Sequence, residues 1–294
     1  MTKLAIKLSV IFLLLTILLY ASSSISEVSS MQSVESSSES FAYPPLSSGG
    51  TLLGNNKVYL PFAMKNYFVP HATTSYYLNT INSNKLAQEG CNLANEVKGI
   101  NGKQESVAIL NFCQPWRNSS GVYGVNLCDL GGFASISSVE SATKAFASNF
   151  YNCSTGYPDT LVVVVGTNNF GYYVNSTHGT EWAKMIDRIN TWLQDPSRNY
   201  FYRVQAVGGS DMEISYNPYS TTSAWVNGYE SQNSFPLYDF GDAEGCPAER
   251  SNYDRICQGM NYDWYQSQVW DISYKSSREA LPLIYTNSGI NAKQ

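Results

Sequence analysis

The sequence predicts an α/β fold in which parallel strands alternate with crossover helices and wrap into a shortened or irregular (β/α) barrel. An open parallel α/β sheet is the alternative. Three observations carry this expectation. Residues 160–165, Thr-Leu followed by four valines, form the continuous apolar run of a strand covered on both faces. Stretches with helical apolar spacing lie between this run and other strand-like runs, the alternation that parallel strands require. Each strand-like run also ends in a loop bearing Gly or Asn, as a barrel with its site at the carboxyl ends of its strands demands. A complete eight-unit barrel takes about 250 residues, so a shortened one is expected. No phosphate-binding glycine fingerprint opens a helix, which weakens nucleotide-binding versions of an open, doubly wound sheet.

The elements follow in chain order. Lys3 and Lys7, the apolar run 8–20 and Ala21-Ser22-Ser23 read as a secretory signal over 1–23. Its apolar core is shorter than the roughly 20 residues that span a bilayer, so membrane attachment would come only through an uncleaved signal. Residues 24–73 read as a serine-rich disordered spacer and leader segment, too poor in apolar surface to fold. The apolar island 58–67 within it either docks as an edge strand or leads into the domain. The single folded domain is expected over 74–294. There, 106–112 reads as a buried strand stopped by Gln114-Pro115-Trp116, and 138–151 as a helix burying Ala142, Ala145, Phe146 and Phe150. The strand 160–165 runs into Gly166-Thr167-Asn168-Asn169-Phe170-Gly171. A second helix, 180–193, carries Trp182, Met185, Ile186, Ile189, Trp192 and Leu193 on one stripe. Then come a strand at 201–207, a short helix at 221–229 after Pro218, and a strand at 235–240 ending in Gly241-Asp242. Segments 269–274 and 281–285 read as the last two strands.

Composition narrows the partners. Charged residues are only 14% of the chain while tyrosine reaches 22 copies, so hydroxyls and amides dominate the polar surface. Such a surface suits an extracellular or cell-surface protein touching neutral polymers, polysaccharide or peptidoglycan. The net charge is −5 and becomes more negative without Lys3 and Lys7, and no basic run exists to hold phosphates, so nucleic acid is not an expected partner. Six cysteines (Cys91, Cys113, Cys128, Cys153, Cys246, Cys257) in an exported chain point to disulfides. Cys246–Cys257 would close a short loop around Pro247, and proximity in sequence suggests Cys91–Cys113 and Cys128–Cys153. Metal-ligand spacing of Cys or Cys/His type does not occur, and no metal or cofactor is expected. Asn118-Ser119-Ser120, Asn152-Cys153-Ser154 and Asn175-Ser176-Thr177 match the N-glycosylation sequon.

The chemistry concentrates in Val204-Gln205-Ala206-Val207-Gly208-Gly209-Ser210-Asp211-Met212-Glu213. An apolar strand runs out into glycines and presents Asp211 and Glu213 two residues apart, on one side of an extended backbone and with Cα atoms roughly 6.5 to 7 Å apart. Two carboxylates at a strand end suit acid/base work on a sugar. The competing reading makes Asp211 a turn residue satisfying its own backbone and Glu213 a cap or a partner of Arg203. Asn168 and Asn169 would bind a substrate hydroxyl or simply close a turn, and Asp242 is either a second carboxylate across the barrel mouth or a solvated turn residue. Tyr172, Tyr216, Trp225 and Tyr238 are candidates for stacking on sugar rings, since each offers an apolar face and a polar edge. His178, beside Gly179, reads as a residue of a helix cap, and no Gly-x-Ser-x-Gly elbow supports serine catalysis.

Several of these segments carry a resemblance. Residues 160–171, His178-Gly179-Thr180-Glu181-Trp182, Gly209-Ser210-Asp211-Met212-Glu213, Trp225-Val226-Asn227-Gly228-Tyr229, Gly245-Cys246-Pro247, Trp270 and Pro282-Leu283-Ile284-Tyr285 together resemble a group of secreted bacterial proteins. That group is in turn similar to glycoside-hydrolase-like TIM barrels, the neighbourhood of the lysozyme-type muramidases and related domains of unknown function. The resemblance covers about residues 100–290. It implies a TIM-barrel-like fold, with Glu213 as proton donor and Asp211 as its partner. Two functions are therefore carried forward: a secreted glycoside hydrolase acting on cell-wall or extracellular polysaccharide, and a non-catalytic carbohydrate-binding or structural cell-surface protein on the same fold.

Overall fold

A computed structural model describes residues 72–98, 100, 102–232, 235–248 and 253–281, all within one compact unit. The expected signal 1–23, the leader up to residue 71 and the expected strand beyond Leu281 lie outside the described residues.

A six-stranded sheet organises the fold, built from β1 (Ala72–Tyr77), β2 (Glu105–Asn111), β6 (Thr160–Asn168), β7 (Val204–Asp211), β8 (Leu237–Asp239) and β11 (Arg278–Ala280). The strands lie side by side in that order and every pairing is parallel. Strand order therefore follows chain order without reversal. A doubly wound sheet reverses direction at a switch point; a sheet wound one way, open or closed on itself, does not. The crossovers contain α1 (Ser83–Val97), α2 (Ile136–Cys153), α3 (Ser176–Gln194), α4 (Tyr219–Glu230) and α5 (Gln266–Tyr274). A three-stranded antiparallel meander, β3 (Gln114–Arg117), β4 (Tyr123–Leu127) and β5 (Gly132–Ser135), is inserted after β2. A small antiparallel pair, β9 (Ile256–Gln258) with β10 (Asp263–Tyr265), precedes α5.

Alternation along the strands divides the core in two. Leu161, Val163 and Val165 of β6, with Ala108, Leu110, Val204 and Ala206, join the helices in one large buried cluster. The opposite face carries a smaller one of Val107, Ile109, Val164, Val207 and Phe240. The Phe240 ring lies against Gly166 and Gly209, where an added Cβ would come within 2.5 and 2.9 Å of it. These two glycines exist to admit that ring. On α3, Trp182, Met185, Ile186, Ile189 and Leu193 are fully buried, each contributing roughly 1.5–3 kcal/mol. Asn190 in the same stripe exchanges two hydrogen bonds with the Ala206 backbone, at 2.7 and 2.9 Å, and pins the helix to β7.

Several expectations need correction. Residues 269–274 are helix, not strand, and among the described residues only the short β11 follows. The strand expected at 201–207 begins at Val204 and continues through the glycines to Asp211. β1, α1 and the meander were not anticipated. Cys246–Cys257 forms as expected, but the other bridges are Cys91–Cys153 and Cys113–Cys128. Neighbours in sequence failed here because Cys91 on α1 meets the end of α2, while Cys113 and Cys128 bracket the β3–β4 hairpin. Three intramolecular disulfides fit an oxidising environment. Among the described residues no helix is long and apolar enough to cross a membrane.

Candidate active site

Register brings the carboxyl ends of β2, β6 and β7 together. Asn111 pairs with Gly166, and Asn168 pairs with Asp211. Asp211 is the last residue of β7, is 7% exposed, and accepts a hydrogen bond at 3.3 Å from the Asn111 amide nitrogen. The Asn111 amide oxygen accepts from the Cys113 N–H at 2.9 Å, which fixes the amide so that its NH2 faces Asp211. The second Asp211 oxygen, Oδ1, is buried with no hydrogen-bond partner among the described residues. Burial, and then the negative charge of Asp239, raise the Asp211 carboxyl to about 7 against the opposing Asn111 hydrogen bond.

Glu213 lies two residues on, half-buried. Its backbone is clamped by Asn169: the Glu213 N–H donates to Asn169 Oδ1 at 2.9 Å, and Asn169 Nδ2 donates to the Glu213 carbonyl at 3.0 Å. Asn169 is itself buried and also donates to Thr222 on α4 at 3.0 Å. The Glu213 side chain hydrogen-bonds that of Asp242. Two carboxyls can do this only with a proton between them, since ionised carboxylates are acceptors alone. Burial, the charges of Asp242 and Asp211, and this hydrogen bond push Glu213 up to about 8. Asp242 is held in turn by the Glu244 N–H, at 2.8 Å. A fourth carboxyl, Asp239, faces inward and is raised to about 6 by burial. It accepts from Ser273 at 2.6 Å, from the Gly241 N–H at 3.1 Å and from the Met212 backbone. That full set of donors makes it a structural group that adds negative charge to its neighbours.

Asp211, Glu213 and Asp242 thus converge; Asn168 sits beside Asp211 in the register, but its amide oxygen closes a turn onto the Phe170 N–H at 3.1 Å. The alternative of Glu213 pairing with Arg203 fails, since Arg203 sits beyond the opposite end of β7 and donates to Asp159 and Ser154. Trp225 is a correction: it is 1% exposed, stacks on Tyr229 and donates to His178 Nδ1 at 2.9 Å, so it presents no face to a ligand. His178 is fully buried and driven down to about 4 by desolvation. Because Nδ1 accepts from Trp225, Nε2 carries the hydrogen and donates to the Gly124 carbonyl at 2.8 Å; the ring is a clip between α3, α4 and the meander. Tyr238, at the level of Gly209 in the register, is half-buried against the smaller cluster. Tyr172 is 88% exposed and Tyr216 36%. Asn111 escaped the sequence reading because nothing in an apolar strand distinguishes its last polar residue from a turn former.

No family model matches the chain, and no curated protein matches it. Among solved structures, an endo-1,4-β-mannanase from Rhizomucor miehei is similar at 15% identity with a TM-score of 0.28, over 62% of this chain. The matched part spans 58% of the mannanase chain.

Proposed function

We propose that the protein is a secreted or cell-surface glycoside hydrolase on a shortened TIM-barrel-like frame, with Glu213 as the general acid and Asp211 as the assisting carboxylate. The observation that supports this most directly is the hydrogen bond between the Glu213 and Asp242 side chains beside buried Asp211. A general acid must remain protonated near neutral pH, and a carboxyl raised to about 8 does so. Glu213 would pass its proton to the glycosidic oxygen as the bond to the anomeric carbon breaks. Ionised Asp211 would take a proton from the attacking water, whose oxygen forms the new bond to that carbon. Asp242 would hold the proton on Glu213 before the transfer; afterwards the proton taken up by Asp211 returns to solvent and Glu213 is re-protonated from solvent, while Asn111 and Asn169 act as positioning residues. The unbroken chain order of the strands supports the barrel-like frame, and the three disulfides support export.

The test is Glu213→Gln in a reducing-end assay on peptidoglycan and soluble polysaccharides. Turnover should fall on the order of 100-fold or more, the usual worth of a general acid. Unchanged turnover would remove Glu213 from the mechanism.

A further inference from the structure

Strand β3 and the loops after β6 and β7, beside the carboxyls, carry aromatic rings that the proposed chemistry does not use. Phe170 follows Asn169 directly, and its ring meets Tyr216 edge to face, 5.4 Å between centroids. Tyr216 is tied to the acid by a backbone hydrogen bond from its N–H to the Glu213 carbonyl, 3.1 Å. Further along the same loop Tyr172 packs on Tyr173 at 5.3 Å, and Tyr173 packs on Trp116 of β3 at 5.4 Å. Trp116, Phe170, Tyr172 and Tyr216 are 36%, 49%, 88% and 36% exposed. Single exposed rings are ordinary, but a contacting trio (Trp116, Tyr173, Tyr172) and a contacting pair (Phe170, Tyr216) that share the loop after β6, beside one cluster of carboxyls, are not explained by packing.

These rings are also held rigid. Asn217 Nδ2 donates to the Asn169 carbonyl at 2.6 Å and to the Gly171 carbonyl at 3.0 Å, stapling the β6 loop to the β7 loop. Gly171 sits at φ +94°, where the backbone passes so close to Gln114 of β3 that a Cβ would overlap its amide. Ring faces fixed before a ligand arrives lose little freedom on binding.

We infer that Trp116, Tyr173, Tyr172, Phe170 and Tyr216 form an extended binding track for a neutral polysaccharide that leads to Glu213. The inference rests on the glycosidase reading for its direction and deepens it by naming the substrate class. Sugar rings present C–H faces that stack on aromatic rings and hydroxyl edges that tyrosine hydroxyls can meet. Charge selects among polymers: the chain carries a formal net charge of −5, which disfavours a polyanion. A polycation gains little, because Asp211 and Asp239 are only 7% and 8% exposed.

The experiment is affinity electrophoresis of the full chain in gels containing a soluble glucan, mannan or xylan, with polygalacturonate as the anionic comparison. At least one neutral polymer should retard the protein and polygalacturonate should not. Trp116→Ala and Phe170→Ala should each weaken retardation about tenfold with unchanged thermal midpoints. Tyr172→Ala, altering a ring almost wholly in solvent, tests the same surface without threatening the fold. Glu213→Gln should stay retarded while losing turnover. Retardation that is absent with every neutral polymer, equal with polygalacturonate, or untouched by all three ring variants overturns the track. If the track variants lose retention while Glu213→Gln keeps full turnover, the track stands and the acid assignment falls.

Discussion

In the proposed reaction Glu213 and Asp211 ask opposite things of pH. The acid works only while protonated, the assisting carboxylate only while ionised, and their values near 8 and 7 leave a narrow window. Activity should therefore follow a bell with its maximum between about pH 7 and 8, falling tenfold per unit on each side. The two limbs belong to the coupled group of carboxyls and not to single residues. Removing Asp242 takes away both a repelling charge and the shared proton, so Asp242→Asn should move the alkaline limb to lower pH. A pH–rate profile of kcat/KM for that variant checks this; an alkaline limb that stays in place means that Asp242 does not hold the acid. Asn169 acts differently, through geometry alone. Asn169→Ala breaks two hydrogen bonds to the Glu213 backbone and one to Thr222. It should cost on the order of 2–4 kcal/mol of stability, because buried partners are left unpaired, and lower kcat without moving either limb.

At the scale of elements, the disulfides separate stability from function. Cys91–Cys153 ties α1 to α2 across 62 residues, and loop-closure entropy values it at about 4 kcal/mol. Cys113–Cys128 spans 15 residues and is worth about 3 kcal/mol by the same reasoning. Yet Cys113, held at φ +66°, feeds its N–H to Asn111 and its carbonyl to the Asn168 N–H and the Thr167 hydroxyl. Replacing both cysteines of the shorter bridge by Ala should thus cost less stability but more activity than replacing those of the longer one. Equal loss of kcat/KM in the two double variants would break that link. The same elements show what a sequence makes legible. β6, α2 and α3 are readable because each satisfies its periodicity with residues of its own. α5 misleads, since Val269-Trp270-Asp271-Ile272-Ser273-Tyr274 alternates like a strand. Its first turn is held instead by Gln268 bonding the Tyr265 N–H, and by Asp254, thirteen residues earlier, bonding Ser267. Partners at that distance leave no local pattern. The Asp-x-Glu pair was visible for the opposite reason, two carboxylates standing beside glycines at a strand end. The register that adds Asn111, and the turn that adds Asp242, exist only once the strands are paired.

For the whole molecule, the site is a weakness that the rest of the fold must offset. Asp211, Glu213 and Asp239 all titrate above their ordinary range because burial disfavours their charged forms. In the unfolded chain the same groups ionise near 4. A proton bound more tightly by the folded state favours folding at low pH, and that advantage drains away as pH rises from about 4 through the folded values of 6 to 8. Stability should consequently decline across this interval and level off above it. Asp211→Asn keeps an oxygen for Asn111 to donate to and carries no charge to bury. It should raise the unfolding free energy on the order of 2 kcal/mol at pH 9, a midpoint increase of roughly 4–8 °C for a domain of this size. Near pH 4 the gain should vanish, because the wild-type carboxyl is protonated there too. Activity would move the other way, with the assisting carboxylate gone at every pH. Thermal melts of both proteins at pH 4, 7 and 9 decide the matter. A midpoint difference that is the same at all three values means that Asp211 is not held against its charge, and the raised carboxyls then cease to support an acid/base site.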